Sequence, residues 1–305
     1  VSGGGEQGAP GRSAPERGAP ERGAPGRDAA VGGASPSRAG RNLPAAIGVG
    51  VGLGAVILVA LFTVRQLFVV VVAVAVAVSV YELAGALKRG AGIRVALVPV
   101  LLGSQAVVWL AWPFERGGVL SAFVVTMLVC LLWRLKDGAD GYLRDVTASI
   151  FTVAYVAVFA AFAVMLVVPE DGVFRVLAFL IGVVLSDTGG YVAGVLLGRH
   201  PMAPAISPKK SWEGFGGSLL AGTLGGVLTV GVMLDGQWWQ GVVFGAALVV
   251  TATAGDLVES LIKRDLGIKD MGTLLPGHGG LMDRMDSLLP SAVVAWLLLH
   301  TFVPS

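Results

Sequence analysis

From Leu43 onward the chain is a series of apolar runs, each about as long as a bilayer is thick, with short polar stretches between them. A helix needs about 20 apolar residues to cross ~30 Å of hydrocarbon. Runs of that kind fall at roughly 44–63, 66–84, 94–112, 118–134, 146–168, 173–197, 213–234, 238–262 and 287–303. They predict an all-α fold, a polytopic integral membrane helix bundle of about nine transmembrane helices. The first two runs are divided only by Arg65 and Gln66, and the last is short unless residues 281–287 extend it. The glycines between Gly48 and Gly54 lie inside the first run with no strand before them. They read as a small-residue packing face rather than a dinucleotide loop. Such faces join helices within a chain or between copies, so a homodimer is compatible with this bundle.

Residues 1–42 lack the pattern. Four related pentads (APGRS, APERG, APERG, APGRD) run from Ala9 to Asp28. Proline, glycine and charge without apolar residues cannot offset the entropy of ordering, so a disordered, solvated Pro/Gly/Arg-rich tail is expected. It has no apolar core of the kind a secretory signal carries. The expected organisation is this tail followed by a membrane-embedded domain over 43–305.

Composition agrees with the pattern. Hydrophobic residues make up 55% of the chain and charged residues 14%, against roughly 25% charged in soluble domains. The bilayer is the expected environment, and nucleic acid is not an expected partner. With nine spans the loops alternate sides, and 19 of the 22 lysines and arginines fall on one side; only Arg65, Arg116 and Arg175 fall on the other. The positive-inside rule then places the N-terminal tail in the cytoplasm and the C-terminus outside, in the cell membrane. The single cysteine, Cys130, excludes an intrachain disulfide and a cysteine-built zinc site, and reads as a small buried hydrophobe. The loop from Arg134 to Asp145 (RLKDGADGYLRD) alternates sign and reads as solvated. His200 and His300 are isolated and receive no role.

The chemistry gathers between Ala254 and Ser287, on the cytoplasmic side. Asp256, Glu259 and Lys263 are spaced to share one helix face. An aspartate at that depth needs either a function or a partner, for which Lys263 is the simplest candidate. Asp283 and Asp286 stand three apart at the start of the last helix. Three carboxylates at one membrane level suit Mg²⁺, a hard cation that takes oxygen ligands and shares them with phosphates. Lys263, Arg264, Lys269 and Arg284 suit a triphosphate and a leaving pyrophosphate, or serve as interfacial anchors. His278 lies between glycines, where it suits a phosphate contact, a proton relay or a loop hydrogen bond. Two earlier stretches have the same character. Asp187 lies mid-span beside Gly189, Gly190 and Tyr191. Ser207, Lys209, Lys210 and Ser211 precede a helix whose N-terminus attracts anions, with Ser211 also suited to capping it. No Walker-type phosphate loop occurs.

Ser260, Lys263-Arg264, Lys269-Asp270, Gly272, Leu275-Pro276, His278-Gly279-Gly280 and Asp283-Arg284-Met285-Asp286 together resemble the signature of the phosphatidate cytidylyltransferases, or CDP-diacylglycerol synthases. Ser-Asp at 186–187 and Ser-Pro-Lys-Lys-Ser at 207–211 are also similar to that family, so the resemblance spans about 186–287. Met271 departs from it, standing where a small polar residue is expected. The resemblance implies that CTP and phosphatidate give CDP-diacylglycerol and pyrophosphate. It implies Mg²⁺ on Asp256 and Asp283, with a second, monovalent cation compatible, and Asp286 as a further motif acid. Lys263 and Arg264 join these as the expected catalytic set. Asp187, Ser207, Lys209, Lys210, Lys269, Asp270, His278, Gly279, Gly280 and Arg284 are the expected substrate contacts. Three rival readings are a CTP-dependent lipid-alcohol kinase, a CDP-alcohol phosphotransferase begun but not continued at Asp137-Gly138, and a transporter using Asp187 and Asp256.

Overall fold

A computed structural model describes residues 43–274 and 279–303. The expectations for the tail at 1–42 and for Leu275, Pro276 and His278 lie outside the described residues.

The described chain is almost entirely helical. Helix α1 (Leu43–Thr63) breaks at the extended Val64 before α2 (Arg65–Ala91) begins. Helix α2 stops at Gly92, whose φ of 64° turns its N–H back onto the carbonyls of Leu87 and Lys88. Next come α3 (Leu97–Arg134) and α4 (Tyr142–Thr152), which passes through a π turn at Val153–Val158 into α5 (Phe159–Val167). Helix α6 (Gly172–Leu197) leads to a short antiparallel hairpin of β1 (Pro201–Ala203) and β2 (Ser207–Ser211). Helices α7 (Trp212–Leu228), α8 (Trp238–Asp265), the single-turn α9 (Met282–Met285) and α10 (Leu288–Phe302) complete the chain.

Among the described residues, seven helices are long and apolar enough to cross a membrane. One of them, α3, accounts for two of the expected runs. Glu115, two residues after Pro113, has φ 44° and ψ −129° and breaks the helix. Gly103 and Thr126 then touch, since a Cβ on Gly103 would overlap the Thr126 side chain. In a straight helix these residues would lie about 34 Å apart. The two arms of α3 are therefore folded antiparallel. With α1 added, the seven helices account for the nine runs.

Glycine sets how closely the C-terminal helices approach. Gly226 of α7 lies on the backbone of Gly241 and Gly245 of α8, and Gly189 of α6 lies on Gly217 of α7. In lipid, helices associate through close van der Waals packing, which small residues permit. Gly48, Gly50, Gly52 and Gly54 have open space around them, so the packing expected of that face is not made within the described chain.

The three arginines expected on the outer side meet at one end of the bundle. Arg65 donates to Pro169 O at 2.5 Å, the Arg116 guanidinium lies 5.5 Å from the Trp296 ring centre, and Arg175 donates to Leu299 O at 3.2 Å. The Arg134–Asp145 loop corrects the expectation of a solvated turn at its two ends. Arg134 and Asp145 are both buried and paired, and the Asp145 carboxylate also accepts from Arg94 N–H at 3.1 Å. Sign alternation marks the loop as polar but does not separate its solvated middle from anchors folded back beneath the helices. Cys130 is buried, as expected.

Candidate active site

Helix α10 starts beside Asp286 and ends at Arg175, so the charged stretch occupies the end of the bundle away from the three arginines. Close backbone approach builds it. Gly255 lies against the Asp286 carbonyl and the Pro290 ring, bringing the chain at Asp286 next to Asp256. Gly190 and Gly214 bring α6 and α7 together below Asp187. Ser211 Oγ accepts from Gly214 N–H at 3.1 Å, capping α7 as anticipated. The hairpin before it, which the sequence pattern did not suggest, carries Ser207, Lys209 and Lys210 to the site.

Three adjoining cavities result. A basic one of about 620 Å³ is lined by Ser207, Lys209, Ser260, Lys263, Arg264 and Lys269. An acidic one of about 440 Å³ is lined by Asp187, Asp256, Asp270, Asp283, Arg284 and Asp286, and shares Lys263 and Lys269 with the first. A third, of about 330 Å³, lies between α6, α7 and α8, with Tyr191, Lys210 and Phe215 on its wall. Asp187 and Asp256 face both it and the acidic cavity. The anticipated residues outside the undescribed His278 thus come to one place, Gly279 and Gly280 as the loop beneath the acids. Gly279, at φ 79°, brings its backbone against Asp270 and Asp283.

The ion pairs differ from the simplest sequence expectation. Asp256 pairs with Lys210 at 2.6 Å, not with Lys263, and Ser260 Oγ donates to it at 3.4 Å. Lys263 lies between the fully buried Glu259 at 2.5 Å and Asp283 at 3.0 Å. Asp283 also accepts from the N–H groups of Met271 at 3.0 Å and Gly280 at 2.8 Å. Asp187, Asp256 and Asp286 lie close enough for their charges to repel one another. Among the described residues, Lys209 and Lys269 have no acidic partner.

This donor set fits a hard divalent cation in chemistry, since every acid offers oxygen and the carboxylates carry mutual repulsion that a cation relieves. Among the described residues, no three acidic, histidine or cysteine side chains already stand at coordination spacing. Asp256 and Asp283 each hold an ammonium group instead, so an ion there joins or exchanges with Lys210 and Lys263. Sequence reasoning overlooked two residues of α2. Glu82 accepts from Met282 N–H at 2.8 Å, and Arg89 donates to Met271 O at 2.8 Å. An acid within an apolar run was the available signal for Glu82.

A family model described as the cytidylyltransferase family matches residues 44–302. The chain is 47% identical over 283 residues to the phosphatidate cytidylyltransferase of Mycobacterium leprae (strain TN), covering 88% of this chain and 90% of that one. It is 47% identical over 281 residues to the phosphatidate cytidylyltransferase of Mycobacterium tuberculosis (strain ATCC 25618 / H37Rv), covering 88% and 85%. A protein of the same name from Staphylococcus epidermidis (strain ATCC 12228 / FDA PCI 1200) is 35% identical over 197 residues, covering 64% of this chain and 73% of its own.

Proposed function

The chain belongs to the cytidylyltransferase family, and on that premise we propose that it joins CTP and phosphatidate into CDP-diacylglycerol, releasing pyrophosphate at the charged end of the bundle. The observation that carries the site assignment is the shared wall of Lys263 and Lys269 between a basic and an acidic cavity.

The basic cavity supplies a field for a triphosphate. Lys209 and Lys269 neutralise its outer phosphates without breaking an ion pair, and Arg264 adds a planar donor fork. The third cavity, with Tyr191 and Phe215 beside Lys210, has the mixed lining that a lipid phosphate with its glycerol requires. A phosphatidate oxygen attacks the α-phosphorus of CTP in line. The new P–O bond forms as the bond to the β-phosphate oxygen breaks, and both electrons leave with pyrophosphate. Lys263 and Lys269, on the wall between cavities, stabilise the charge that moves from acceptor to leaving group. No protein nucleophile takes part, because the acceptor is already an anion. A divalent cation, Mg²⁺ by expectation, supplies charge neutralisation at the reacting phosphates when bound. Asp256 and Asp283 would hold it, with Asp286 adjacent. We place the protein in the cell membrane with this end cytoplasmic, which the charge distribution supports.

The test is transfer of label from α-labelled CTP into lipid by purified protein in phosphatidate micelles with Mg²⁺, beside Asp283→Asn. Labelled CDP-lipid and pyrophosphate are expected from the unmodified protein, with a fall of about 100-fold or more in the variant. Label from γ-labelled CTP appearing in lipid would replace this reading with a kinase. Full activity in Asp283→Asn would overturn the site.

A further inference from the structure

We propose that Glu82 is a positioning residue for the transfer reaction: from α2 it holds the loop that carries the two N–H donors of Asp283. Glu82 is 7% exposed and lies near the end of the second apolar run, two turns before Lys88 and Arg89. Burying a carboxylate is costly unless its lone pairs are used, and a leucine or methionine there would avoid that cost. No cation pairs with Glu82 among the described residues. Its Oε2 accepts from Met282 N–H at 2.8 Å. Its Oε1 is buried without a hydrogen-bond partner. The loop backbone is cut to fit the carboxylate, because a Cβ on Gly272 or Gly280 would overlap it.

Seven residues on, along the same face of α2, Arg89 donates to Met271 O at 2.8 Å. One helix face thus holds both ends of the loop, Met271 at the start and Gly280 to Met282 at the finish. Met271 and Gly280 are also the residues whose N–H groups donate to Asp283, which in turn holds Lys263. The chain of contact runs from α2 through loop backbone to Asp283 and Lys263. Glu82 touches none of the three cavities. Its effect on the reaction therefore passes through the loop.

This inference rests on the proposed reaction, and the experiment separates the two. Unmodified protein, Glu82→Ala, Glu82→Gln and Arg89→Met are compared by CMP-transfer kinetics and by amide hydrogen exchange over 270–283. Displacement of reacting groups by about 1 Å costs about 100-fold in rate, so Glu82→Ala should lower kcat by about that factor. Both KM values should stay within about threefold. Exchange should quicken over 270–283 and stay unchanged in α6 to α8. Glu82→Gln keeps one oxygen for Met282 N–H and should recover kcat to within about tenfold of the unmodified protein. Unchanged kcat in Glu82→Ala would sink the proposal, as would a loss that Glu82→Gln does not recover and that comes with faster exchange throughout the bundle. If Glu82→Ala does not fold, Arg89→Met decides: local exchange and kcat must both change. Unmodified protein that transfers no CMP would overturn the reaction, while the exchange data would still decide whether Glu82 holds the loop.

Discussion

Ser211 stands where two roles are compatible with one side chain. Its hydroxyl caps α7 and lies on the wall of the cavity that holds Lys210 and Asp256. If capping is its role, Ser211→Ala should cost about 1 kcal/mol and lower the apparent melting temperature in detergent by about 2–4 °C. CMP transfer at low temperature should then change little, and Ser211→Asn should recover the loss. A phosphate contact would instead raise KM for CTP or phosphatidate with no thermal change, and the two measurements separate the outcomes. The same local chemistry explains what was legible residue by residue. A serine before a helix, an aspartate inside an apolar run and an i, i+3 pair of acids each have a short list of physical explanations. Partner choice is not local. Asp256 had Lys263 seven residues away on its own helix face, yet Lys210 is its partner, brought by a hairpin that sequence periodicity did not suggest. Glu82 was overlooked for the same reason, since its contact, Met282, lies 200 residues on.

At the level of elements, hydropathy gave the helices well because each must satisfy its backbone within itself across the bilayer. What it marked less well were interruptions too short to be polar loops. The turn in α3 contains Trp112, Pro113, Phe114 and two glycines around Glu115, and so reads as weak punctuation in an apolar run. The folded-back geometry is checkable. In a Cys130→Ala background, Gly103→Cys with Thr126→Cys should form a disulfide on mild oxidation: a Cβ on Gly103 would lie 2.7 Å from the Thr126 Cβ, so the arms need to part by only about 1 Å to reach the roughly 3.5–4.5 Å Cβ separation of a bridge. Proteolysis within the turn at 113–117 would then leave the two fragments joined until a reductant is added. Failure to cross-link, with both thiols still reactive after denaturation, would mean the arms do not meet. The glycines of α7 and α8 support a second reading at this scale. Gly226 and Gly245 admit no side chain without displacing a neighbouring helix backbone, so close backbone contact between α7 and α8 fixes the framework on which α8 carries Asp256.

For the molecule as a whole, the distribution of charge carries more than its sum of +2. The basic and acidic cavities lie at one end, and Arg65, Arg116 and Arg175 at the other. The arginines at the second end are used within the fold: Arg65 and Arg175 bind backbone carbonyls, and Arg116 lies over Trp296. At the first end, Lys209 and Lys269 remain without acidic partners among the described residues. That asymmetry suits an end that receives a polyanion from the cytoplasm, where nucleoside triphosphates are found. It leads to an orientation that single cysteines can read in a Cys130→Ala background. Lys136 is exposed beyond the second arm of α3, and Arg116 is exposed at the turn between the arms. The second arm of α3 lies between the two positions. Arg116→Cys should react with a membrane-impermeant maleimide in intact cells, and Lys136→Cys only after the membrane is opened. The reverse pattern would put the basic and acidic cavities outside and remove the CTP supply on which the proposed reaction depends. Equal reaction of both in intact cells would mean that the second arm of α3 does not cross.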